Sequence, residues 1–358
     1  MPFKSRWTIP IPDTSLASLV FKSPTHPLSD EKPALIDAED PKRYLTLHTY
    51  RLWSQRLAVG LISHGFQPGD RVLLFSPNNL FFPVVFMGVI MAGGIFTGAN
   101  PGYVASELSY QLKDSGAVYL LCSAASLSTG LEAAAAINFP KSGVLVFDDV
   151  PTPRGPGQFQ QGCHHWSCLI APVKEGSTYI WAPCSTPEDS AKTIALNYSS
   201  GTTGLPKGVE ITHRNYVADT LQQKHNYYLM PATLEQHATD RWLCFLPMYH
   251  ALAQTTFVVG GPIRGIPVYI MPRFDFLKML DYVQIYAITV LILVPPVIVA
   301  MAKHPGLRAG NWELSSVRRI VVGAAPLGRE ISEEMERLWI NTPQAETINV
   351  RQGWGMTE

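Results

Sequence analysis

Between Asn197 and Asn215 the chain reads NYSSGTTGLPKGVEITHRN, which gathers serine, threonine and glycine around one lysine and one proline. Glycine lets consecutive backbone N–H groups turn toward a common point, hydroxyls add donors, and lysine adds a mobile positive charge, so the composition suits a phosphate. The pattern is not that of the P-loop G-x-x-x-x-G-K-[ST]: here Pro206 precedes Lys207, and Gly208 follows where a Mg2+-binding hydroxyl would stand. Composition alone leaves two readings open, a phosphate cradle and a solvated turn.

Other chemistry-bearing groups are sparser. His250 follows an aromatic residue in LPMYHAL, a setting in which a lone histidine is usually structural. Cys163, His164, His165 and Cys168 place four metal-capable side chains within six residues, but no second ligand pair follows at zinc-site spacing, so a plain loop is expected. The remaining cysteines, Cys122, Cys184 and Cys244, bring the total to five at irregular spacing, which fits reduced thiols in an intracellular protein.

The elements that position these groups are legible as alternating apolar runs. Segments 71–76, 118–122, 143–147, 193–198, 267–271, 288–294 and 318–323 read as strands buried on both faces, with helices between them, which predicts an α/β architecture with mostly parallel strands. The clearest helix runs over residues 47–64, with Tyr50, Trp53, Leu57 and Leu61 on one stripe, Thr46 as N-cap and Gly65 as the stop. Strand 193–198 leads directly into the Ser/Thr/Gly loop, so the loop lies at a carboxyl end, where open α/β sheets bind ligands. From about 150 to 189 the composition shifts to Pro, Gly, Ser and Gln, predicting an extended surface excursion, with a subdomain boundary near 190.

Composition sets the outer limits. With 358 residues and 46% hydrophobic residues the chain can bury large sheets, and 28 basic against 28 acidic residues leave no positive excess for a nucleic acid or an anionic membrane surface. The apolar runs beginning at Phe81 and Tyr286 are broken by proline or paired glycine and read as core rather than membrane spans. The start MPFKSRWTIPIPD lacks the apolar core of a signal peptide, which points to an intracellular, cytoplasmic protein with a peroxisomal address left open.

Four ordered segments carry a family resemblance. YSSGTTGLPKGVEITHRN resembles the phosphate loop of the adenylate-forming superfamily, which includes acyl-CoA and aryl-CoA ligases, luciferases and the adenylation domains of peptide synthetases. LPMYHAL resembles its Pro-x-x-His loop, VVGAAPLG its adenine-side strand and turn, and QGWGMTE its Gly-aromatic-Gly-x-Thr-Glu motif, while TGANPGY resembles the 4-coumarate:CoA ligase branch. The resemblance implies two stacked sheet-and-helix subdomains forming the AMP-binding N-terminal body over residues 1–358, without the C-terminal lid domain. It also implies activation of a small carboxylic acid by ATP and Mg2+ to an acyl-adenylate, followed by transfer to coenzyme A.

The same resemblance assigns roles. Ser199, Ser200, Gly201, Thr202, Thr203, Gly204 and Lys207 cradle the terminal phosphates of ATP, and Gly323, Ala324 and Ala325 line the adenine together with Gln352, Gly353, Trp354, Gly355 and Met356. Thr357 donates to the α-phosphate, Glu358 offers an oxygen to Mg2+, and His250 orients the acyl carboxylate. Two departures bear on the substrate: Leu252 stands where coumarate ligases commonly carry tyrosine, and Trp354 replaces the tyrosine of Gly-Tyr-Gly, so a nonphenolic acid is expected. Since the chain stops at Glu358, before the family's ribose-binding aspartate and lysine-bearing lid, impaired turnover is expected, with a catalytically dead nucleotide-binding remnant or interaction module as the alternative.

Overall fold

The computed structural model describes residues 5–149, 160–199, 205–229, 234–339 and 348–357. The chain first lays down β1 (Pro33–Asp37) and β2 (Tyr44–Thr46), then the helix Leu47–Ser63. Thr46 caps that helix reciprocally: its hydroxyl accepts the Thr49 N–H at 3.0 Å, and its own N–H donates to the Thr49 hydroxyl at 2.8 Å. Gly65 ends it with φ +86°, a conformation that costs glycine little. Tyr50, Leu57 and Leu61 are buried, and Trp53 packs against the core at its edge.

Next come β3 (Arg71–Phe75), β4 (Ile95–Ala99), β5 (Tyr119–Ser123), β6 (Val144–Phe147), β7 (His164–His165), β8 (Thr193–Ser199) and β9 (Lys207–Thr212), before the chain returns through β10 (Trp242–Cys244), β11 (Val268–Ile270), β12 (Val290–Leu293), β13 (Arg319–Val322) and β14 (Val350–Gln352). Among the described residues these form two seven-stranded sheets, one ordered β14-β13-β12-β10-β11-β1-β2 and the other β7-β6-β5-β3-β4-β8-β9. Neighbours run parallel except β1–β2 and β8–β9, so both sheets are mixed and the α/β expectation holds. Residue 190 closes the short helix Pro187–Ser190 that feeds β8.

The apolar run from Phe81 becomes the helix Phe82–Met91, buried at every position, and then β4. It packs so closely on the helix Leu47–Ser63 that a Cβ at Gly88 would lie 2.9 Å from Leu57 Cδ2. The run from Tyr286 becomes β12 and the helix Pro295–Lys303, whose leading proline lacks only an N–H that the first turn leaves unpaired. No helix among the described residues is long and apolar enough to cross a membrane.

Residues 160–189 differ from the expected surface excursion, whose head at 150–159 lies outside the described residues. Trp166 is fully buried, edge-to-face with Phe147 at 5.0 Å and Phe81 at 5.9 Å. The His165 ring bridges Ser167 Oγ at 2.8 Å and Asp148 Oδ1 at 3.0 Å. Local composition favours a loop, but burial of Trp166, Leu169 and Ile170 against distant strands wins. At the amino ends of β10, β12 and β13, fully buried Asp240 accepts from Thr289 Oγ1 at 2.7 Å, from Arg318 at 2.8 Å, and from Arg319 and the Tyr227 hydroxyl. Burial pushes its carboxyl above the usual carboxylate range in spite of the hydrogen bonds from Thr289 and Arg318 and the charge of Arg318.

Candidate functional site

The glycine-rich loop leaves an antiparallel hairpin whose last described pair is Ser199 opposite Lys207. Lys207 is exposed and makes no ion pair among the described residues, which leaves its ammonium available to a ligand. The hairpin is braced from below: the Tyr198 hydroxyl donates to Asp114 Oδ2 at 2.6 Å, the Tyr110 hydroxyl donates to the Pro206 carbonyl at 2.9 Å, and a Cβ at Gly208 would press on the Tyr198 ring at 3.1 Å. Ser200, Gly201, Thr202, Thr203, Gly204 and Glu358 lie outside the described residues.

His250 caps a short helical turn, and its Nδ1 accepts the Leu252 N–H at 3.3 Å. With Nδ1 used as acceptor, the neutral ring carries its proton on Nε2 and presents a donor there. Neighbouring chain desolvates the imidazole and lowers its pKa, which favours that neutral donor form. The turn continues into a π-helical stretch, Gln254–Gly260, that buries Phe257, Val258 and Val259 and keeps Leu252 at the edge of the core.

Gly323 follows β13 directly, and Ala324 adopts φ +73°, a left-handed conformation rare for alanine. The Gly353 N–H donates to the Val322 carbonyl at 2.8 Å, extending β14 past the same turn. Gln352 is committed to shaping it: Nε2 donates to the Leu327 carbonyl at 3.1 Å, and Oε1 accepts the Leu327 N–H at 3.2 Å. Trp354 is 89% exposed, leaving its indole face open beside Gly355 and Met356, with Thr357 partly covered.

Three of these segments meet: a Cβ at Gly323 would lie 3.7 Å from the Gly353 carbonyl oxygen and 3.9 Å from Leu252 Cδ2, two residues beyond His250. The hairpin joins through a buried bond from Asn197 Nδ2 to Gln254 Oε1 at 2.8 Å. Beside His250, a cleft of 410 Å3 opens between the carboxyl ends of β3, β4 and β5 and those of β10 and β11, lined by Asn78, Asn100, Ser123, Tyr249 and Arg273 among others. Asn78 ties the two sheets together there, donating to the Leu246 carbonyl at 2.9 Å and accepting the Met248 N–H at 2.8 Å. Arg273 makes no hydrogen bond or ion pair among the described residues and brings a free guanidinium to the rim. Sequence reasoning did not single out Asn78, Asn197, Gln254 or Arg273. The available signal was a polar residue interrupting an apolar run, as in TIALNY and ALAQTTFVV.

A family model described as AMP-binding enzyme matches residues 27–358. A 4-coumarate–CoA ligase of Pinus taeda is 34% identical over 332 residues, covering 92% of this chain and 56% of that protein. An acyl-CoA ligase, azaF, of Aspergillus niger is 32% identical over 359 residues, covering 100% of this chain and 64% of that protein. Among solved structures, the luciferase-like enzyme from the nonluminescent mealworm Zophobas morio superposes with a TM-score of 0.80 at 17% identity, over 98% of this chain and 74% of that one, a likeness of fold alone. The chain spans little more than half the length of the coumarate ligases it matches.

Proposed function

The chain belongs to the AMP-binding enzymes, and from that premise we propose that its strand ends bind MgATP and a carboxylic acid side by side and join them as an acyl-adenylate, the mixed anhydride from which a CoA thioester is made. The observation that supports the reading is the approach of Gly323 to Gly353 and to Leu252, two residues beyond His250, with the hairpin that ends at Ser199 and Lys207 tied to the same region through the Asn197–Gln254 bond, near strand ends of the kind where open α/β sheets take their ligands.

Two anions meet in this reaction, so its difficulty is electrostatic. Lys207 supplies a mobile cation to the terminal phosphates, with Ser199, Ser200, Gly201, Thr202, Thr203 and Gly204 as hydroxyl and amide donors. The turn Gly323-Ala324-Ala325 leaves room for the adenine, and Trp354 covers its face, flanked by Gln352, Gly353, Gly355 and Met356. His250 donates from Nε2 to the acid and sets one carboxylate oxygen toward the α-phosphate, to which Thr357 donates. The attacking oxygen forms the new bond to phosphorus as pyrophosphate leaves. Glu358 would offer Mg2+ the kind of oxygen it prefers, and the ion would supply positive charge against the departing pyrophosphate.

Leu252 makes the acyl side apolar, which suits a medium-chain fatty acid or a nonphenolic aryl acid, and Arg273 on the cleft rim suits an anionic acceptor such as coenzyme A. The test is acid-dependent pyrophosphate release from MgATP across a panel of carboxylic acids. Release with fatty or nonphenolic aryl acids supports the reading. Saturable MgATP binding without release by any acid would reject it, and a strong preference for hydroxycinnamates would reject the role of Leu252.

A further inference from the structure

The hairpin and the His250 turn are far apart in sequence, yet a buried polar triad lies between them. Asn197 sits on β8 two residues ahead of Ser199, Tyr216 on the helix His213–Leu229, and Gln254 at the head of the π-helical stretch. All three are at most 2% exposed. Gln254 Oε1 accepts the Tyr216 hydroxyl at 2.5 Å and Asn197 Nδ2 at 2.8 Å, and Asn197 Nδ2 also reaches the Tyr216 oxygen at 3.3 Å. At its other end Gln254 Nε2 donates to the Tyr249 carbonyl at 3.2 Å. One side chain thus grips both the strand that feeds the phosphate loop and the peptide group joining Tyr249 to His250.

Stability alone is a poor account of this triad. The surroundings are apolar, with Phe86 edge-to-face on Tyr216 at 5.6 Å, and replacing both partners of a buried hydrogen bond by apolar groups of similar shape is often close to neutral. What a buried network adds is a fixed geometry, since each member is costly to leave unpaired. The π-helical turn supports the same view, because such turns put a side chain where a regular helix would not. Asn197 Oδ1 finds no hydrogen-bond partner among the described residues, so the present arrangement leaves one acceptor of the triad open.

We propose that Gln254 is a positioning residue that couples the nucleotide and acid halves of the site. Nucleotide seated on the hairpin fixes β8, Asn197 passes that constraint to Gln254, and Gln254 holds the Tyr249–His250 peptide so that Nε2 faces the acid. This rests on the MgATP reading above and adds that the two halves communicate through one buried amide.

The experiment measures how fast diethyl pyrocarbonate modifies His250, read by peptide mass spectrometry with His304 as internal reference, without nucleotide and at saturating MgATP. Calorimetry on the same samples reports MgATP binding directly. In the unaltered chain MgATP slows His250 modification by about fivefold or more, the scale of an ordinary coupling between sites. Gln254→Met keeps length and removes both polar ends, and Tyr216→Phe removes one hydroxyl with little change of shape. Both bind MgATP, but in Gln254→Met the nucleotide effect falls below about twofold, with Tyr216→Phe between it and the unaltered chain. An undiminished effect in Gln254→Met means direct shielding by the nucleotide and overturns the coupling while leaving the MgATP reading intact. Should Gln254→Met fail to fold, an undiminished effect in Tyr216→Phe overturns the coupling equally. If the unaltered chain shows no MgATP binding, the nucleotide reading falls, and the coupling with it.

Discussion

Replacing Gly98 by alanine tests how tightly the His250 turn is seated. The added Cβ would stand 2.8 Å from Tyr249 Cβ and 2.9 Å from Tyr249 Cα. Carbon atoms pack best at roughly 3.5 to 4.0 Å, so backbone on one side or the other must move by more than half an ångström. Neither side is loose. β4 is hydrogen-bonded in the middle of its sheet between β3 and β8, and the turn is held by the Met248 N–H on Asn78 and the Tyr249 carbonyl on Gln254. Overpacking of this kind costs about 1 to 3 kcal/mol, measured as a lower urea midpoint at unchanged slope. Because the displacement enters at Tyr249, acid-dependent pyrophosphate release should fall by more than MgATP affinity. A variant with the unaltered midpoint and release rate would refute the argument, since the turn would then yield without cost and could not be what orients His250.

Lys207→Ala should weaken MgATP binding by about 1.5 to 3 kcal/mol, the worth of one charge-assisted contact, and calorimetry giving an unchanged affinity would remove Lys207 from the phosphate site. Asp240→Ala leaves Arg319 buried without its carboxylate and should cost about 3 to 5 kcal/mol in urea unfolding, with part of the loss recovered when Arg319→Met is added. Burial holds the His213 pKa at about 4, against an ordinary 6.5, with Nδ1 accepting the Leu16 N–H at 3.0 Å. The folded chain therefore favours the neutral ring: this contribution is full above pH 6.5 and is lost as pH falls toward about 4. His213→Asn keeps an acceptor without the titration and should flatten the stability profile across that interval; an unaltered profile would place the pH dependence elsewhere.

The strands were legible because parallel strands covered on both faces must be continuously apolar, so RVLLF, VLVF and VLIL announce themselves. The two-residue β7 and the three-residue β10 and β14 carry too little pattern to be seen before their partners are known. Trp166 was misplaced on the surface for a related reason, since its local background is loop-like and only the distant Phe81 and Phe147 explain its burial. Within the site, the phosphate hairpin and His250 were readable because their chemistry is contiguous in the chain. Gln254 was only half legible: a short window shows a polar residue interrupting an apolar run, but its partners come from β8, from the helix His213–Leu229 and from Tyr249, so its role is hidden. The close approach of Gly98 to Tyr249 was hidden in the same way.

The interleaving of the two sheets also sets an order of assembly. All seven strands of the second sheet fall within residues 71–212, so this sheet can close while the rest of the chain is still unstructured, although its β4–β8 pair already joins residues as far apart in sequence as Phe96 and Ala195. The first sheet cannot. β1 takes its parallel place beside β11, pairing Leu35 with Val268, and the whole of the other sheet lies between them in sequence. Pairings that close long loops must pay their entropy before contacts reward it, so they form late and slowly. During synthesis β1 and β2 can pair with each other at once, but the other edge of β1, along the apolar segment Ala34–Ile36, waits for β11. The slowest phase of refolding should report the docking of β1, and the hazard during that wait is strand pairing with another copy of the same nascent chain.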